Sequence, residues 1–116
     1  MHESIQPVAE AFCRHRFDDA LPHLADDVVW EAFGRPPLTG RDAVAAACAE
    51  STRELEGVTT TFTRFSSIDA GDVVIVESLA DYTEPDGERS VVASCDVFES
   101  SDGRVTAIRS YTVAVD

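Results

Sequence analysis

At Gly57 the hydrophobic period of this chain changes from helical to two, and that switch limits the folds open to it. Everything after the glycine reads as strand, punctuated by turn signals. V-T-T-T-F-T-R-F runs into D-A-G-D, V-V-I-V-E-S-L-A-D-Y-T into P-D-G, and S-V-V-A-S-C-D-V-F-E into S-D-G. R-V-T-A-I-R-S-Y-T-V-A-V closes the series. Successive hairpins make antiparallel neighbours the natural pairing.

Before the switch, the spacing predicts helices. Ile5, Val8, Ala9 and Phe12 share one face of a helix over 3–15, with Ser4 as its N-cap and Pro7 in its first turn. Residues 17–25 read as a short second helix. Residues 42–55 read as a third, with Thr39 and Asp42 at capping-box spacing. Between them D-D-V-V-W-E-A-F predicts a strand over 28–33, which ends at the loop G-R-P-P-L-T-G-R. Three helices followed by a curved antiparallel sheet are an α+β plan, and 116 residues suit a single domain over 1–116.

The strands are apolar on both faces, whereas an antiparallel sheet ordinarily leaves one face polar. One face must cover the helices. The other, with Val91, Ala93, Cys95 and Val97 on one parity, is too apolar for water, which predicts a homodimer packed sheet to sheet.

Charge narrows the partners. Twenty-two acids against nine bases give a net charge of −13, and all nine bases are arginine. Such a surface repels phosphate backbones, which argues against nucleic acid. Without lysine, no side chain can form a Schiff base. No apolar run reaches the roughly 20 residues of a membrane span, and the first residues carry no signal-peptide pattern. Cys13, Cys48 and Cys95 are scattered and odd in number, which predicts free thiols and a cytoplasmic setting. His2, His15 and His23 lack metal-ligand spacing, and no phosphate-binding loop is present, so neither metal nor cofactor is expected. His2 reads as a disordered end. His15, at the end of the first helix, reads as a group that caps carbonyls or meets the helix dipole.

One acid is out of place: Asp96 stands near the middle of a strand that is apolar on both faces. It also carries a resemblance. A-D-D-V-V-W-E-A-F-G-R-P-P-L-T-G-R-D-A-V, followed by D-V-F-E-S-S-D-G-R-V-T-A-I-R-S-Y, resembles the SnoaL-like branch of the nuclear transport factor 2-like superfamily over nearly the whole chain. That resemblance implies a cystatin-like cone, a bent sheet wrapped around the N-terminal helices with an open-ended pocket. The fold serves ketosteroid isomerases, polyketide cyclases, epoxide hydrolases, dehydratases and non-catalytic binding domains, so the fold alone does not choose a function.

Residue by residue, the resemblance is selective. Val91, Val92, Ala93, Asp96 and Phe98 match the isomerases' V-V-A-x-x-D-x-F strand, which implies that Asp96 points into the pocket with Val92, Ser94 and Phe98. There, desolvation would raise its pKa and let a neutral acid donate to a carbonyl oxygen, as in the well-known ketosteroid isomerase case. The alternative is a buried carboxylate paired with Arg64 or Arg109. The isomerases' base falls on Ala32, with Glu31 one residue before, and their first-helix tyrosine falls near Val8. The cyclases' acid falls on Ser110. The epoxide hydrolases' aspartate–arginine–aspartate set is not recognisable.

The candidate catalytic residues are therefore Asp96, Glu77 and Glu31. Glu77 faces Asp96 only in one of two strand registers, which remain open. Trp30, Phe33, Phe98, Ile108, Ser110 and Thr112 are the candidate wall of a pocket for a small, mostly apolar molecule, with Arg35 at its mouth. The enzyme reading is cofactor-free isomerisation, cyclisation or dehydration next to a carbonyl. The alternative is a ligand-binding or dimerisation module without catalysis.

Overall fold

The structure, a computed structural model, describes residues 4–115. Helix α1 spans Gln6–Cys13 and α2 spans Phe17–Ala20; a 3₁₀ turn, Leu21–His23, leads into β1, Leu24–Ala32. The short β2, Leu38–Thr39, precedes α3, Arg41–Glu54. Four long strands follow: β3 Thr59–Asp69, β4 Val73–Thr83, β5 Arg89–Ser101 and β6 Arg104–Val115. All six strands form one sheet in the order β2-β1-β6-β5-β4-β3.

The four long strands pair as antiparallel hairpins, as the turn signals require. β1 adds a feature that the hairpin pattern does not contain: it joins β6 in parallel, with Trp30 beside Ile108 and Ala32 beside Ser110. A crossover that long is possible because α3 and the hairpins lie between the two strands. Register shifts at Leu24/Val29, Phe62/Arg64 and Glu99/Ser100 mark the irregularities that bend the sheet. The curled sheet takes α1 against β3 and β4, and α3 against β1 and β2, which is the expected cone.

The helix ends differ in detail from the sequence reading. Ile5 is the N-cap of α1, yet the Ser4 hydroxyl still accepts the Gln6 N–H at 3.0 Å. Gly40, not Thr39, caps α3, and no side chain bonds its first turn. Pro22 cuts the second helix short, and Leu24 becomes the first residue of β1, four residues before the expected start. The end of α1 is a Schellman turn: the His15 N–H bonds Phe12 O and the Arg16 N–H bonds Ala11 O, with His15 in the left-handed region at φ 64°.

The core fills the closed end of the cone. Phe98, Leu24, Ile108, Val28, Val44, Val74, Val76 and Val105 are fully buried, and Phe12 of α1 meets Phe98 edge to face at 5.8 Å between ring centres. On the outer face, Ile68 and Val113 are 64% and 63% exposed, and Tyr111 and Val115 are exposed as well. Cys13, Cys48 and Cys95 are free thiols. Among the described residues no helix is long and apolar enough to cross a membrane.

Candidate functional site

Alternation along β5 turns Val92, Ser94, Asp96 and Phe98 to the inside of the cone. Register then aligns them with inward residues of both neighbours: Asp96 lies beside Val76 of β4 and Ser110 of β6. Toward the closed end this row is core. Toward the open end it lines a cavity of about 340 Å³, within the range of small-molecule sites.

Asp96 sits in the cavity wall and is 8% exposed. The Ser110 hydroxyl and the Cys13 thiol stand as donors toward its carboxyl group. Ser110 Oγ in turn accepts the Trp30 indole N–H at 3.0 Å, which leaves the hydroxyl proton for Asp96. The result is a chain, Trp30 to Ser110 to Asp96, that crosses three strands. Burial raises the Asp96 pKa from its usual value; the Ser110 and Cys13 hydrogen bonds pull it down and do not outweigh burial. Burial also pushes the Cys13 thiol far up, with the charge of Asp96 adding to the effect, so Cys13 is an inert donor rather than a nucleophile.

The ion-pair alternative is not realised. Arg64 pairs with Glu77, and Arg109 pairs with Glu99, both on the outer face. Among the described residues no arginine pairs with Asp96.

The structure brings some of the predicted residues together and separates others. Trp30, Phe33, Ser110 and Thr112 line the cavity with Asp96, and Arg35 stands at its rim. The Phe33 ring stacks on Tyr111 at 4.6 Å at that rim. Glu77 does not reach the site: the register places it opposite Cys95, on the outer face, 3.1 Å from Arg64. Glu31 lies beside Arg109, one residue out of phase with the inward Trp30 and Ala32, and is absent from the cavity wall. Phe98 and Ile108 face inward but too deep; Phe12 closes over Phe98, and both side chains are core. On α1 the residue that meets Asp96 is Cys13, while Val8 packs on the core away from it.

Several wall residues escaped the sequence reading. Cys13 and His15 come from the end of α1, Ser78 and Tyr82 from β4, and Ser51, Glu54 and Leu55 from α3. The β4 residues follow from parity once Val76 is known to pair with Asp96. For Cys13 and His15 the only signal was their place where α1 ends, just before Phe17. His15 does not cap the helix with its ring, because the Schellman turn already uses the free carbonyls. Its ring lies 5.8, 5.9 and 6.1 Å from those of Phe17, Phe62 and Tyr82, the last stacked. Burial lowers its pKa from the usual 6.5. His23 lies in a separate surface groove, and His2 lies outside the described residues. Among the described residues no group of His, Cys, Asp and Glu side chains could hold a metal ion.

Comparisons with known proteins agree with this fold. The family model for the SnoaL-like domain matches residues 5–108. No curated protein matches the chain significantly. Among solved structures, an NTF2-like protein of unknown function from Cytophaga hutchinsonii superposes with a TM-score of 0.80 at 20% identity, covering 92% of this chain and 94% of that one. A putative polyketide cyclase from Xanthomonas campestris gives 0.72 at 24% identity, over 92% and 85%. An LEH-like epoxide hydrolase from M. tuberculosis gives 0.65 at 26% identity, over 93% and 81%. The fold these structures share is the cone described above, and the chain belongs to the SnoaL-like domain family.

Proposed function

We propose that the cavity binds a small ring-shaped molecule bearing a carbonyl group, and that Asp96 donates a hydrogen bond to that carbonyl oxygen. In this reading the protein catalyses an isomerisation, cyclisation or dehydration by proton transfer, without a cofactor. The observation that carries it is Asp96 itself: a carboxyl group buried in a cavity wall, facing a hydroxyl and a thiol, with no ion-pair partner among the described residues. A neutral acid placed there stabilises negative charge that develops on a substrate oxygen. Trp30 and Phe62 offer flat apolar surface, while Ser78, Ser94 and Thr112 offer hydroxyls, so the wall suits a ring that carries oxygen. The polyketide cyclase and epoxide hydrolase among the similar structures support a small-molecule role in general terms.

A second reading, binding without catalysis, is favoured by one specific observation. Glu77 and Glu31, the two expected partners of Asp96, are both outside the cavity.

Binding of 2-naphthol and turnover of a panel of cyclic enones separate the two. Asp96→Asn keeps a donor and should hold naphthol within a few-fold of the original affinity, while turnover falls by about 100-fold or more. Asp96→Ala should also weaken naphthol binding, by about tenfold. Unchanged turnover in both variants contradicts the catalytic reading; intact binding with no turnover of any panel member favours the binding module.

The exposed apolar outer face supports a homodimer through the sheet as part of the same proposal. Val113→Asp should convert it to monomers by size-exclusion chromatography with light scattering, and a monomeric parent protein would refute it.

A further inference from the structure

We propose that His15 is the proton acceptor of this site, taking the proton from a carbon next to the carbonyl whose oxygen Asp96 holds. The inference rests on the Asp96 reading above and supplies the base that Glu77 and Glu31, turned to the outer face, do not.

Three observations point to it. First, His15 lines the same cavity as Asp96. It follows Cys13, which touches Asp96, by two residues, so its Cα lies within about 7 Å of the Cys13 Cα. Tyr82, on which its ring stacks, lines that cavity as well. Acid and imidazole thus share one small chamber.

Second, the ring is not what closes the turn at the end of α1. The Schellman turn is closed by backbone groups alone, and its left-handed position is the one where glycine is the usual residue. A histidine there holds a sparsely populated conformation, and its ring goes into the cavity rather than to the helix carbonyls. Its neighbours are aromatic rings, stacked at Tyr82 and tilted at Phe17 and Phe62, and burial lowers its pKa.

Third, burial among those rings disfavours the charged form of the imidazole and lowers its pKa from the usual 6.5. The titratable and charged groups that share the cavity with it are Asp96 on β5, Tyr82 on β4, Glu54 on α3, Cys13 on α1 and Arg35 in the loop after β1. Arg14, next to it in sequence, is turned away over the Phe65 ring at 3.8 Å.

The step balances without any further reagent. A ring nitrogen of His15 takes the proton, the C–H electron pair becomes the carbon–carbon double bond of an enolate, and the carbonyl π pair moves to oxygen, where Asp96 donates. Return of that proton from the imidazolium to a different carbon completes an isomerisation. Loss of a β-hydroxyl with the proton completes a dehydration.

The test uses 5-nitrobenzisoxazole, which any positioned base converts to a coloured phenolate. The base removes its ring C–H proton, the electron pair forms the nitrile, and the N–O bond breaks. The protein should accelerate this elimination beyond free imidazole, with a rate that rises as pH passes a value below 6.5. His15→Asn, which tolerates the left-handed turn, should lose about 100-fold or more and the acid limb of the profile. His15→Gly, which suits the turn better, should fold and lose the same activity. An elimination rate no better than free imidazole, or an unchanged rate and acid limb in both variants, overturns the proposal. If instead Asp96→Ala leaves naphthol affinity unchanged, it is the Asp96 reading that has failed.

Discussion

The two faces of the sheet use the same residue types in opposite ways. On the outer face, acids stand next to arginines: Glu77 with Arg64, Glu99 with Arg109, Asp81 with Arg89. On the inner face Asp96 has a hydroxyl and a thiol instead. Glu77 and Asp96 are on adjoining strands only one residue out of register. The pairing lowers the Asp81 pKa, while burial raises that of Asp96. A partially solvated acid beside a guanidinium stays ionised and contributes little. A buried acid with neutral donors has its neutral form favoured, and the proposed function rests on that difference.

The largest effect that would sharpen this contrast lies at the closed end of the inner face. Phe98→Ala removes a side chain that is 0% exposed and should cost about 3–5 kcal/mol in urea unfolding. A cost below about 1 kcal/mol would mean that Phe98 borders open space and is part of the site. Next comes the join between wall and acid. Ser110→Ala orphans the Trp30 N–H and removes one donor to Asp96. It should cost about 1–3 kcal/mol and raise the Asp96 pKa further, since that donor favours the carboxylate. A fall in that pKa would break the proposed balance between burial and hydrogen bonding. Smallest are the outer pairs. Glu77→Gln and Glu99→Gln should each change stability by no more than about 1 kcal/mol and leave naphthol binding untouched. Lost binding in Glu77→Gln would erase the distinction between the faces.

How much of this was legible in the sequence depends on what kind of fact was being read. Face was legible where a strand has a clear parity, and Asp96, Ser94 and Val92 do stand together in the cavity wall. The all-round apolarity of the strands also pointed to an exposed apolar face, seen at Val113 and Ile68. Depth was not legible. Phe98 and Ile108 have the right parity, but whether an inward residue becomes wall or core depends on where Phe12 lands, which is a matter of tertiary packing. Register was left open for Glu77, and the hairpin resolved it by pairing Val76, not Glu77, with Asp96. The parallel pairing of β1 with β6 spans most of the chain and leaves no local signal. Cys13 and His15 were missed for a related reason: periodicity describes a helix, and these residues work where the helix ends.

The pH dependence of stability follows from the central claim. A group whose pKa is raised by folding favours the native state at acid pH, and that contribution is lost as pH rises through the raised value. Relative to Asp96→Asn, the protein should therefore lose stability as pH climbs from about the ordinary carboxylate range through the folded value of Asp96. The most direct measurement is the titration of that carboxyl itself, by carbon-detected NMR of ¹³C-labelled aspartate with Asp96→Asn to assign the signal. The account predicts a midpoint above the usual 3.8. A midpoint at or below 3.8 would mean a stabilised carboxylate, and Asp96 would then belong with the acids of the outer face.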